Sequence, residues 1–67
     1  MIIGPRIKEL RKEKGISQQV LANEIGVDQH AIIFWEKEIN EPKASYILKL
    51  AKYFNVSTDY LLGLEND

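Results

Sequence analysis

Few side chains in this 67-residue sequence could do covalent chemistry. There is no cysteine, and His30 is the single histidine. Around His30 there is no serine-and-carboxylate arrangement of the kind a nucleophile, its base and an orienting group require. No second ligand stands near it to complete a metal site, and no glycine-rich loop is present to cradle a phosphate. Enzyme chemistry, a metal and a cofactor are therefore not expected, and no small-molecule site is evident. What remains is hydrogen bonding. A glutamine amide such as that of Gln29 donates and accepts at once, which matches N6 and N7 of adenine; the imidazole of His30 can donate to a guanine acceptor or to a phosphate.

These groups need elements to position them, and composition bounds what those can be. A chain of this length is one domain, 1–67, and buries only about 60% of the surface its unfolded form exposes. Hydrophobic residues make up 45% and charged residues 28%, with two prolines and four glycines. No disulfide framework is possible without cysteine. No uncharged run approaches the ~18 apolar residues of a membrane span, and Met1 to Arg6 lacks the apolar region of a signal peptide. The expectation is a small cytoplasmic binding module rather than a membrane protein, a secreted mini-protein, a disordered tail or a large enzyme.

The net charge of −1 conceals an asymmetry. Residues 1–14 hold five cations against two carboxylates, a net +3, whereas residues 15–42 hold Lys37 against five carboxylates, a net −4. A basic first helix beside an acidic middle reads either as an interaction surface or as ordinary solvated helix faces.

Five helices are expected, with no strand alternation and no repeat. The first starts at Pro5, a residue suited to a first helical position, shows Ile7 and Leu10 on one face, and stops at Gly15. Ser17 caps a second helix, Gln18 to Ile25, which Gly26 ends. Asp28 caps a third, Gln29 to Lys37, with Ile32 and Trp35 on its apolar side. The fourth runs from Ala44 to Phe54, where Ile47, Leu50, Ala51 and Phe54 make a full amphipathic stripe. Ser57 caps a short fifth helix, Thr58 to Leu62, before Gly63. Residues 1–4 are expected as an arm and 64–67 as a frayed tail. Helices two and three are separated only by Gly26-Val27-Asp28. Two helices joined by such a glycine-containing turn form a helix-turn-helix unit, here about 17–37.

The whole chain sharpens that reading. Arg6-Ile7-Lys8-Glu9-Leu10-Arg11, Gly15-Ile16-Ser17-Gln18, Leu21-Ala22 and Ile25-Gly26-Val27 are followed by Ile32, Trp35-Glu36, Pro42, Leu50-Ala51, Val56-Ser57 and Asp59-Tyr60-Leu61-Leu62-Gly63. In these residues the chain resembles the phage repressor/Cro (XRE-type) helix-turn-helix family over roughly residues 6–63. The resemblance implies an all-α, five-helix, lambda-repressor-like DNA-binding domain. It also implies a homodimer on a pseudo-palindromic double-stranded operator, with the third helix in the major groove. The function implied is sequence-specific transcriptional regulation, by repression.

With Ile32 set on the core side of a helical wheel, Trp35 and Glu36 fall within roughly 60° of it. His30, Phe34 and Lys37 fall opposite, Ile33 lies on the flank, and Gln29 points from the helix's N-terminal end. Gln29, His30, Ile33 and Phe34 are thus the candidate base-reading residues, the last two through thymine methyls. The family more often has small, polar or basic residues where Ile33 and Phe34 stand. The alternative is a protein-interaction module of the same fold that uses this apolar pair. Phosphate contacts are expected from Ser17 and Gln18 at the second helix's N-terminus, Gln18 by the resemblance, and from Lys37, Asn40 and Lys43. Asp28, Glu38 and Glu41 oppose them, so a shallow salt dependence and modest affinity are expected. A carboxylate on the core side needs a partner, and the resemblance supplies Arg11 for Glu36. It also implies a dimer interface near the C-terminal region, for which Val56, Tyr60, Leu61 and Leu64 offer apolar surface.

Overall fold

The computed structural model describes residues 3–65. Five helices form: α1 (Ile3–Lys14), α2 (Gln18–Ile25), α3 (Gln29–Glu36), α4 (Ala44–Phe54) and α5 (Thr58–Leu62). None is long and apolar enough to cross a membrane.

The starts of three helices follow from their capping residues. The side-chain oxygens of Ser17, Asp28 and Ser57 accept from the backbone N–H groups of Val20, His30 and Tyr60. Each satisfies an amide that has no partner within its helix. The ends follow from residues that adopt the left-handed region. Gly15, Gly26, Asn55 and Gly63 all have positive φ, and after each of them the next N–H reaches back to a carbonyl of the last helical turn. Gly26, at φ 85°, reverses the chain between α2 and α3.

The end of α3 uses the same geometry with an unexpected residue. Glu38 has φ 60°, and Ile39 N–H donates to the Phe34 carbonyl at 2.9 Å. A glutamate is disfavoured there by steric crowding of its Cβ. Its carboxylate gains a contact in exchange: Oε1 accepts from the N–H of Gly4 at 3.3 Å, at the N-terminal end of α1.

That contact corrects the expected start of the fold. Ile3 and Gly4 belong to α1 and are buried, so they are no arm. Ile3 is only 2% exposed and joins the core, because the α3 end and Glu38 close over the first turn of α1. Met1 and Ile2 lie outside the described residues, as do Asn66 and Asp67 of the expected tail. Within that tail, Leu64 and Glu65 are tied to α5 by a Leu64 N–H bond to the Asp59 carbonyl and by a Ser57–Glu65 side-chain bond.

The core draws on every helix. Ile3 and Ile7 of α1 meet Leu21, Ala22 and Ile25 of α2, Ile32 and Trp35 of α3, Leu50 and Ala51 of α4, and Leu61 of α5. Leu10, Ile47, Phe54 and Val56 pack around them, and the Trp35 and Tyr46 rings lie 5.6 Å apart. Burying each such aliphatic side chain contributes about 1.5–3 kcal/mol. Leu61 is fully buried, which removes it from the expected dimer surface: one small core consumes it. Half-buried Tyr60 also makes contacts within the chain. The Arg6 guanidinium stacks 4.0 Å above its ring, and its hydroxyl donates to Glu9 at 3.4 Å, joining α5 to α1.

Gly4 is needed for the α1–α3 contact. A Cβ there would lie 2.3 Å from the Trp35 carbonyl oxygen and 2.8 Å from Glu38 Cγ. In a free helix Gly→Ala is stabilising by up to about 1 kcal/mol. Here Gly4→Ala is expected to destabilise the domain by about 1–3 kcal/mol, as overpacking does. Urea denaturation measures this, and a raised midpoint would mean that α1 and α3 do not approach so closely.

Candidate nucleic-acid interface

The helix-turn-helix is built from its turn outward. The N–H groups of Gly26 and Val27 both donate to the Ala22 carbonyl, at 2.8 and 2.9 Å, closing α2. Val27 packs on the core, and Asp28 opens α3 by accepting from His30 N–H at 2.8 Å. The His30 backbone N–H first, and then its ring, hold the Asp28 carboxyl below the ordinary carboxylate range. Ile32 and Trp35 anchor α3 from within.

This anchoring turns the remaining face of α3 outward. His30 and Lys37 are exposed, Gln29 and Ile33 are half-buried, and Phe34 is 37% exposed. The Phe34 ring meets that of His30 edge-on, with centroids 6.3 Å apart. Asn40 and Lys43 are exposed between α3 and α4, Lys43 directly before the first residue of α4.

The fixed point of the site is an ion pair. Arg11 Nε donates to Glu36 Oε2 at 2.7 Å, and Nη2 donates to Oε1 at 3.1 Å. The side chains are 11% and 4% exposed. A bidentate pair of this kind is strong and directional. Arg11 Nη1 also donates to the Ile16 carbonyl at 3.0 Å, and Gln18 Nε2 donates to Glu36 Oε1 at 3.1 Å. One network therefore joins α1, the turn after it, α2 and α3.

Around this pair the structure gathers Ser17, Gln18, Gln29 and Lys37 in one cleft, with Lys8 and Arg11 completing its lining beside Glu36. Lys8 was not singled out from the sequence. Its signal was spacing: it stands one turn before Arg11 and so shares a face of α1. The Glu38 carboxylate accepts a bond from the α1 N-terminus, and Glu38, Glu41 and Asp28 are all exposed. Of the expected dimer residues, Leu64 is 73% exposed, Val56 and Tyr60 are half-buried, and Leu61 is internal. Among the described residues, no group of His, Asp and Glu could hold a metal ion.

The helix-turn-helix family profile matches residues 7–61. The chain belongs to the phage repressor/Cro (XRE-type) helix-turn-helix family. Within that family it is 36% identical over 63 residues to the transcriptional regulator ImmR of Bacillus subtilis, covering 94% of this chain and 50% of ImmR. It is 39% identical over 61 residues to repressor protein C2 of Salmonella phage P22, covering 91% of this chain and 28% of C2. The chain thus spans half or less of the length of these two relatives. The crystal structure of the P22 c2 repressor with a synthetic operator superposes with a TM-score of 0.86 at 38% identity, over 91% of this chain and 92% of that one. The N-terminal DNA-binding domain of SinR from Bacillus subtilis superposes with a TM-score of 0.84 at 35% identity, over 91% and 90% of the two chains.

Breaking the Arg11–Glu36 pair from one side leaves a charge in a nearly water-free position. Glu36→Ala is expected to cost about 3–5 kcal/mol, and the double replacement Arg11→Met with Glu36→Leu to recover much of that loss. Chemical denaturation of the two proteins decides it. A single substitution costing less than about 1 kcal/mol would place the pair among weak surface contacts.

Proposed function

We propose that this chain is a sequence-specific DNA-binding transcriptional regulator, acting as a repressor, with α3 in the major groove. The observation that carries this reading is the match to a repressor domain bound to its operator, at 38% identity and over nearly the whole of both chains. The outward face of α3 supports it in chemical terms. Gln29 offers the paired donor and acceptor that adenine N6 and N7 complement, and Ile33 and Phe34 offer apolar surface for thymine methyls.

Phosphate contacts follow from the cleft. The first N–H groups of α2 carry the positive end of its dipole. Ser17, Gln18 and Lys37 stand around it, joined by Lys8. Asn40 and Lys43 extend the row of donors beyond α3. These contacts orient the domain, whereas base-edge contacts select the sequence. Two copies would bind two half-sites about one helical turn apart, in contact through exposed Leu64 and the half-buried Val56 and Tyr60.

Exposed Phe34 keeps a second reading in play, a module that binds protein through the Ile33 and Phe34 face. One experiment separates the two. Random duplex DNA is selected with the purified protein and with Gln29→Ala. An inverted repeat is expected, with the variant losing preference at one position per half-site by about fivefold or more. No enrichment even at about 50 mM salt, where phosphate attraction is strong, would overturn the regulator reading in favour of a protein partner.

A further inference from the structure

His30 is exposed, yet it is held. Two of its nitrogens converge on a single oxygen of Asp28: the backbone N–H donates to it at 2.8 Å, and ring Nδ1 lies 2.8 Å from it. The ring also meets that of Phe34 in an edge-type contact. A capping carboxylate alone needs only the first of these bonds. The second one has a chemical consequence.

An ionised carboxylate only accepts hydrogen bonds. Asp28 is ionised near neutral pH, since the His30 backbone N–H and ring both favour its charged form. The ring nitrogen facing it must therefore carry a hydrogen. A neutral imidazole has one N–H, and once that sits on Nδ1 the other nitrogen, Nε2, is left with a lone pair. The side chain is 78% exposed, which leaves this lone pair open to a partner at the α3 N-terminus.

We infer that Asp28 sets the tautomer of the neutral His30 ring, and that this neutral ring accordingly reads a base that offers a donor, the amino group of cytosine N4 or adenine N6, in place of a guanine acceptor. This rests on the reading of α3 as a major-groove helix. Guanine presents only acceptors at N7 and O6, which face the Nε2 lone pair unfavourably. Neutral His30 is also a poor phosphate ligand in this tautomer, because phosphate oxygens need donors. Asp28 is a positioning residue: it acts on the base through His30.

The test uses Asp28→Ser and His30→Ala. Serine already caps α2 and α5 in this protein, so the substitution keeps a cap for α3 while removing the carboxylate from the ring. The first measurement is the nitrogen chemical shifts of the His30 ring in the free protein, taken at a pH where the shifts themselves show the ring to be neutral. The Nδ1–H form is expected to dominate, and Asp28→Ser to shift the population toward Nε2–H. A dominant Nε2–H form in the unsubstituted protein would overturn the tautomer assignment without reference to DNA.

The second measurement is duplex selection at the same pH. His30→Ala identifies the position that His30 reads. There the unsubstituted protein is expected to prefer the base with the outward amino group by about fivefold or more, and Asp28→Ser to lose that preference or move it to guanine. Base preference is the readout because removing a carboxylate near phosphates raises affinity for any duplex. A guanine preference at that position in the unsubstituted protein would overturn the inference. Absence of any enriched sequence would overturn the regulator reading and the base-reading step together, while the nitrogen shifts would still report on the tautomer.

Discussion

Two charges sit almost out of water where α1 meets α3, and much of the molecule is arranged around them. Arg11 holds Glu36 with two nitrogens, fixes the turn after α1 through the Ile16 carbonyl, and shares Glu36 with Gln18. A buried pair of this kind contributes little net stability, because removing both charges from water costs about as much as their attraction returns. Its effect is directional. The guanidinium is a planar fork with five donors at set angles, so it accepts one placement of α3 against α1. The apolar contacts of Ile7, Ile32 and Trp35 supply the attraction, and the pair selects among the ways they could pack.

Beside this pair, a second tie joins the same two helices. Glu38 adopts a backbone conformation unfavourable to it and directs its carboxylate to Gly4, while Gly4, without a side chain, lets α1 approach the Trp35 carbonyl. Neither residue makes sense alone. A glycine early in a helix reads as a weak spot, and a glutamate after a helix reads as a loop residue, until the two are seen to meet.

That explains which parts of the fold were legible beforehand. Elements governed by local chemistry were plain: Ser17, Asp28 and Ser57 mark starts, and Gly15, Gly26 and Gly63 mark ends, because capping depends on residues within a turn or two. The α4 stripe was equally clear, since burial on one face leaves a helical period in the sequence. The start of α1 was misplaced because Pro5 is itself a first-turn residue, and the burial of Ile3 depends on a helix some 30 positions away. The use of Leu61 was obscure for a related reason. An apolar residue near a chain end carries no mark of whether it packs inward or on a second copy. At the site, the outward face of α3 followed from the position of Ile32 and Trp35, whereas the bond from His30 to Asp28 depends on a side-chain rotamer and left no trace in the residue types.

The clasp at both ends of α3 has a mechanical side. Asp28 fixes its first turn, and Glu36 with Glu38 fixes its last against α1. A helix held in this way cannot roll or slide to suit whatever lies against it. Any mismatch in shape then falls on the other partner. For a duplex, the work of bending or twisting to fit depends on the stiffness of its base steps, including steps that no side chain reaches. A rigid surface of this kind discriminates by the elasticity of what it grips as well as by the atoms it touches.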